Sequence, residues 1–433
     1  MKFKFLSLLT LLVAMQAVTL VAQDRDRFEN IVRTLSSEEF CGRSLAGDGI
    51  VKTREYIISN LSPQAAWQYQ EFSFPMNVYD GKLEAYKDGK KMELFKDYIV
   101  KEFSPAAKGT YPVYYLPNDC VTKDKFYNAL NREEMAGKFV VIDFDLLREN
   151  FFIDTAPDYN LCISYDNYQQ TLGKLSYVAG VVLTQKGRPV SYKARAHYTL
   201  PFPVLVADES FGNDVKEITV DIEATMHPRY NAKNIVAWLP GKNKESSKYT
   251  IFVAHMDHLG IFGKGNVMFG ANDNASGVAA LLTLMEYYAK EANRPEESLL
   301  FLFTDGEESN LLGSHFYVKS PLKPLEDCRY VIDLDMVGDN AQSLSYLITP
   351  SDEESFKKLC LKNGFNTLNK IEFTDYCDFY PFGMKGVPYI YLSVDGVNKD
   401  KYYHSPSDNL STFSSSQYER LFNLVIDFVA NNK

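Results

Sequence analysis

Two histidines and five carboxylates in the second half of the chain stand where they could bind a metal or move protons. His255 and Asp257 follow directly on the apolar start of "IFVAHMDHLG", residues 251–260. Glu307 and Glu308 come after "LLFLFTDG", and Asp335 closes the run "YVIDL". Asp273 sits in "FGANDNASG", just ahead of a helical stretch, and His404 lies in "YYHSPSDN" beyond the apolar "VPYIYL". Imidazole and carboxylate together make a hard-to-borderline donor set, and several carboxylates able to bridge point to two ions rather than one. Each residue alone has an ordinary reading. A histidine can end a strand, "EE" can be a solvated loop, and Asp273 can cap a helix beside Asn274 and Ser276. Asp335 is harder to dismiss, because a carboxylate buried at the end of an apolar run is costly without a partner. What makes a set of them is that all fall at the ends of apolar runs.

Those runs define the elements that must position the residues. A short, fully apolar run reads as a strand buried on both faces of a parallel sheet, and α/β proteins bind ligands beyond the carboxyl ends of such strands. From residue 233 onward strand and helix patterns alternate: "NIVAWL", "YTIFVAH", a helix at "SGVAALLTLMEYYAK", "SLLFLFTD", "RYVIDLD", a helix at "EESFKKLCLKNG", "VPYIYL" and a closing amphipathic helix at "SQYERLFNLVIDFVANN". The expected class is α/β, with a mixed, mostly parallel sheet flanked by helices. Residues 25–62 carry helical periodicity. Between about 78 and 224 the texture changes to short apolar runs separated by charged loops and Gly or Pro turns, which predicts a smaller inserted β-rich domain. The expected organisation is therefore a first catalytic part at 24–77, the insertion at 78–224 and the main catalytic part at 225–433.

The first 23 residues have Lys2 and Lys4, then an apolar run without acidic residues, then small residues before "DRDR". This is the layout of a secretory signal peptide. The apolar run is short and broken by Gln16, which argues against a membrane anchor. The expectation is an exported protein, periplasmic or secreted, with no membrane span once the leader is removed. A net charge of −10, more acidic still without Lys2 and Lys4, excludes nucleic acid and anionic membranes as natural partners. Six cysteines, at 41, 120, 162, 328, 360 and 377, form no CxxC pair and read as unpaired thiols. Oligomeric state is not written in the sequence.

Taken in order, "HMD", "GANDNASG", "DGEES", "DLDMVG" and "YHSPSD" resemble the zinc aminopeptidases of family M28, and "EEFCGR" near the start resembles that family's N-terminal signature. "MAGKFVVIDFD", "VAGVVLT" and "FPVLVA" resemble a protease-associated (PA) domain. The resemblance implies a zinc-exopeptidase-like fold and two Zn2+ per chain. His255 and Asp335 would ligate one ion, Glu308 and His404 the other, and Asp273 both. Asp257 would accept the second ring N–H of His255, and Glu307 would act as general base for a metal-bridged hydroxide that attacks the first bond of a peptide substrate. A cis peptide bond after Asp273 is also implied. Asp333, two residues before Asp335, is the rival ligand, and His258 reads as a loop residue. The chain departs from the family pattern at Cys377–Asp378–Phe379, where a histidine is often found, which leaves Tyr376 or Tyr380 to stabilise an oxyanion. Three other readings use the same scaffold: a single-zinc transferase resembling glutaminyl cyclase, a carboxypeptidase or dipeptidase, and a binding protein without catalysis. The full ligand set with Glu307 favours the aminopeptidase.

Overall fold

The computed structural model describes residues 24–79, 81–117, 125, 128–130, 132–143, 172–187, 189, 196–373, 375, 377–394 and 402–431. The leader, Cys120, Cys162 and Tyr376 therefore lie outside the described residues. Two compact units are present. The first comprises residues up to Phe72 together with Ala232–Gly260 and Met268–Lys433, and the second comprises Ser73–Asn231 and Ile261–Val267. The segment 78–224 falls inside the second unit.

An eight-stranded mixed sheet forms the frame of the first unit. Its strands are β1 (Ala66–Val78), β2 (Thr225–Leu239), β3 (Tyr249–His255), β4 (Ser298–Thr304), β5 (Cys328–Leu334), β6 (Ser343–Ile348), β7 (Thr367–Lys370) and β8 (Tyr389–Ser393). They lie in the order β1-β2-β4-β3-β5-β8-β6-β7. β4, β3, β5 and β8 run parallel, whereas β2 and β6 run antiparallel to the neighbours β4 and β8. The parallel strands are the near-continuous apolar runs seen in the sequence, and Ile251, Phe252, Val253, Phe301 and Leu302 are fully buried, as strands covered on both faces must be. One face packs Val236, Ile251, Val253, Leu300 and Val331 against Tyr317 and Phe382. On the other, the Phe252 ring stacks on Phe301 at 5.1 Å and meets Tyr288 at 6.1 Å.

Helices supply those layers. α1 (residues 24–35) and α2 (Asp48–Ser59) precede the sheet, followed by α3 (Gly277–Ala289), α4 (Leu312–Lys319), α5 (Glu353–Lys362), the short α6 (Phe379–Gly383) and α7 (Tyr418–Asn431). The apolar stripe of α7, Leu421, Leu424, Val425 and Phe428, is buried, with Phe428 edge-on to Tyr330 at 5.0 Å. The chain passes from β3 to β4 on one side, then crosses to β5 on the other side of β3. That reversal opens a crevice beyond the carboxyl end of β3.

The second unit has its own eight-stranded sheet, in the order Lys90–Lys91, Leu83–Lys87, Glu217–Ile222, Ala107–Tyr115, Phe139–Asp143, Gly180–Gln185, Val204–Asp208 and Tyr98–Val100. Four of these, from Ala107–Tyr115 to Val204–Asp208, are mutually parallel around a core that includes Phe139, Val181 and Leu183. Among the described residues no helix is long and apolar enough to cross a membrane.

Candidate metal centre

The crevice beyond β3 gathers the predicted residues. His255 is the last residue of β3, Glu307 and Glu308 open a single turn after β4, and Asp335 directly follows β5. Asp273 lies in the tight turn Ala271–Ser276 that leads into α3. His404 arrives from the loop before α7, with the Tyr403 ring stacked on its imidazole at 3.8 Å.

Asp273 stands between two groups of donors. Its Oδ1 is 3.2 Å from His255 Nε2, and its Oδ2 is 3.0 Å from His404 Nε2. Asp335 Oδ1 lies 3.5 Å from His255 Nε2 on the first side, and Glu308 Oε2 lies 3.2 Å from His404 Nε2 on the second. Glu307 Oε2 is 3.8 Å from His255 Nε2, at the edge of the first group. Ligand atoms of His255, Asp273 and Asp335 fall within 4.8 Å of one another, as do those of His258, Asp273 and Glu308.

Neighbouring backbone sets this geometry. Asp408 accepts the N–H groups of Asn272 and Asp273 at 2.8 and 3.0 Å, which holds the turn against the His404 loop. Asn274 donates to Leu334 O at 3.0 Å and accepts from Gly277 N and Met336 N, while Asn272 and Ser276 accept from Gly338 N and Val337 N. These bonds tie the Asp273 turn to the loop carrying Asp335. The Asp273–Asn274 peptide bond is cis. Arg43, from "EEFCGR", is fully buried and donates to the carbonyls of Leu35, Met256, Phe269, Gly270 and Asp273. Its charge thus sits behind the acidic cluster. Neither Arg43 nor Asp408 was singled out from the sequence, although both stand within the quoted "EEFCGR" and "YYHSPSDN".

The electrostatics divide the two glutamates. Burial pushes the Glu307 carboxyl well above the ordinary range, and Glu308, Asp378 and Asp335 push it further against the pull of His255. Burial alone would also raise Glu308, but the His404 imidazole and hydrogen bonds from His258 and His404 outweigh it and hold the group down to about 2. Burial opposes charge on His404, yet Glu308 and Asp273 lift it to about 10. One glutamate is thereby set up to carry a proton and its neighbour to stay ionised.

A cation fits this donor set. Asp335 Oδ1 is buried with no hydrogen-bond partner while it faces His255 Nε2, an arrangement that costs free energy unless a positive centre lies between them. Two imidazoles with three carboxylates are the ligands zinc takes.

Several expectations need correction. His258 is not a solvated loop residue. It is fully buried, pairs with Ser44 in an isolated bridge, and places Nδ1 2.7 Å from Glu308 Oε1. Its burial depends on a segment over two hundred residues earlier, so local pattern gave no sign of it. The His255 ring nitrogen Nδ1 lies 3.1 Å from the Asp257 backbone oxygen and 4.0 Å from that carboxylate, which instead accepts Glu307 N–H at 3.1 Å. Asp257 therefore holds the Glu307 turn as much as the His255 ring. Asp333 uses Oδ2 to accept Phe379 N–H at 2.9 Å, which turns it away from the ligand set. At the unusual Cys377–Asp378–Phe379 stretch, the Cys377 thiol donates to Asp335 Oδ2 at 3.7 Å, and Asp378 accepts from Thr304. Tyr380 packs on Phe373.

This sheet, with its donors at the switch point, defines a zinc-metallopeptidase fold. Residues 234–429 match the profile of Peptidase family M28, and the chain belongs to that family. Among curated proteins, the aminopeptidase YwaD of Bacillus subtilis is 25% identical over 222 residues, covering 48% of this chain and 46% of YwaD. A vacuolar membrane protease of Candida glabrata is 23% identical over 217 residues, covering 47% of this chain and 21% of its own length. The chain thus spans about a fifth of the fungal relatives and under half of the bacterial one. A zinc aminopeptidase from Bacillus subtilis superposes with a TM-score of 0.69 at 19% identity over 93% of both chains. A Peptidase M28 precursor from Shewanella amazonensis does so with 0.68 at 15% identity over 96% of both.

Proposed function

We propose that the protein is an exported di-zinc aminopeptidase that removes the first residue of peptides. The observation that carries this reading is the division of Asp273, one oxygen to His255 and the other to His404, with a high-pKa Glu307 alongside. His255, Asp335 and Asp273 would hold one zinc, and His404, Glu308 and Asp273 the other. Bound there, the two ions supply Lewis-acid activation of water and of the scissile carbonyl, the two-metal role of which aminopeptidases are a standard example. Glu307 accepts the proton of the attacking water and returns it to the departing amine. Asp257 holds the Glu307 backbone N–H and keeps that carboxylate at the edge of the first group. Export rests on the leader at 1–23, and residues 78–224 are proposed as a PA-like insertion beside the catalytic parts 24–77 and 225–433.

Leucyl, acetyl-leucyl and carboxyl-amidated peptides compared at equal enzyme test the proposal. A free substrate amine should be required, with blocked N-termini slower by about a hundredfold or more in kcat/KM, equivalent to about 1.4 kcal/mol per decade. Equal cleavage of blocked and free N-termini would sink the aminopeptidase reading, and a requirement for a free carboxylate would replace it with a carboxypeptidase or dipeptidase.

A further inference from the structure

We propose that His258 is a positioning residue that withholds one oxygen of Glu308, so that Glu308 presents a single oxygen to the second cation. The inference rests on the two-metal reading above. His258 Nδ1 is 2.7 Å from Glu308 Oε1, while the other oxygen, Oε2, faces His404 Nε2 at 3.2 Å. The two oxygens of one carboxylate therefore have different partners. The same division appears in the first group, where Cys377 donates to Asp335 Oδ2 and leaves Oδ1 facing His255. In both groups a donor outside the ligand set occupies the second oxygen of a terminal carboxylate.

The His258 ring is held in place for this. Its backbone N–H donates to Arg43 O at 3.3 Å, and Ser44 bridges to it. Beside the ring lies Gly270, where an added Cβ would come within 2.5 Å of His258 Cδ2, so the slot closes on a residue with no side chain. Gly270 has φ +58, a conformation that itself favours glycine. A ring clamped on one side by backbone and on the other by glycine cannot swing toward the cation without moving the Arg43 segment. With Nδ1 as the donor, Glu308 keeps Oε2 aimed at the site, as second partners of metal-ligating groups do.

Zinc titration of the whole, metal-stripped chain against a chromophoric chelator, with the visible spectrum of the Co2+ form, tests this in wild type, His258→Asn and His258→Ala. Asparagine keeps an N–H near the position of Nδ1 but has no imidazole nitrogen to coordinate. Wild type should take up two equivalents. Alanine should weaken one equivalent by about tenfold to a hundredfold and leave the other unchanged, while asparagine stays within a few-fold of wild type. Thermal melts of both variants run alongside, and the asparagine arm decides even where alanine fails to fold. If asparagine binds as weakly as alanine, His258 is itself a ligand and the inference is overturned. It is also overturned if both variants match wild type. Wild type taking up fewer than two equivalents would instead sink the two-metal reading beneath it.

Discussion

At the scale of single residues, two adjacent glutamates do different work because their side chains leave a tight turn in different directions. Glu308 reaches His404 and His258, while Glu307 faces His255 across 3.8 Å in a setting that favours its protonated form. Glu307→Gln removes the base without removing a donor of either Asp273-centred group. Turnover should fall by about 10²–10⁴-fold while both zinc equivalents remain by elemental analysis. Glu308→Ala should lose one equivalent as well as activity. Metal loss in the Glu307 variant and retention in the Glu308 variant would reverse the two roles. The hydrogen bond from Cys377 to Asp335 is a feature of this chain's departure from the family pattern, and it shows how that stretch serves the first group without its histidine.

At the scale of elements, the site depends on how closely α3 and the loop after β4 approach their neighbours. An added Cβ at Gly277 would lie 2.2 Å from Leu334 O and 2.3 Å from Asn274 Oδ1, the atoms that tie the Asp273 turn to β5. Gly277→Ala should therefore push the head of α3 off the strand, at a cost of about 1–3 kcal/mol, and weaken zinc uptake. A variant with unchanged melting and metal content would show that the contact is slack. α2 contributes through Arg54, which forms a buried ion pair with Asp305, two residues before Glu307. Asp305 Oδ2 also accepts Lys233 N–H at 2.8 Å, so this carboxylate anchors the loop after β4 on two sides. Arg54→Ala strands that buried charge and should cost about 3–5 kcal/mol in denaturant unfolding. A cost near zero would mean that the loop keeps its place without α2.

At the scale of the whole chain, at least five carboxylates and three imidazoles crowd one crevice, and cations are the natural means of holding them together. Stripping the metal should lower the melting temperature of the unit that carries the site, and adding zinc back should restore it. Free metal at a thousand times its dissociation constant contributes ~4 kcal/mol, enough for a shift of several degrees in a domain of this size. A melting curve indifferent to chelator would argue that the cluster is held by its hydrogen bonds alone.

Much of this was legible in the sequence because strand ends are local facts. Apolar runs such as "YTIFVAH" and "SLLFLFT" can only be strands buried on both faces, and whatever follows them must emerge at one edge of the sheet. Residue type and order therefore sufficed to name His255, Asp273, Glu307, Glu308, Asp335 and His404 as candidates, and to expect a mixed sheet flanked by helices. Only the tertiary structure decided which oxygen of each carboxylate faces which imidazole, since that turns on ångström offsets between strands adjacent in space and distant in the chain. It alone separated Asp335 from Asp333, because the difference is whether the Phe379 N–H claims the carboxylate. It alone brought in Arg43, Asp408 and His258. Each acts through backbone or side-chain groups contributed by other segments, and a contact between residues 44 and 258 leaves no periodic trace for a sequence pattern to carry.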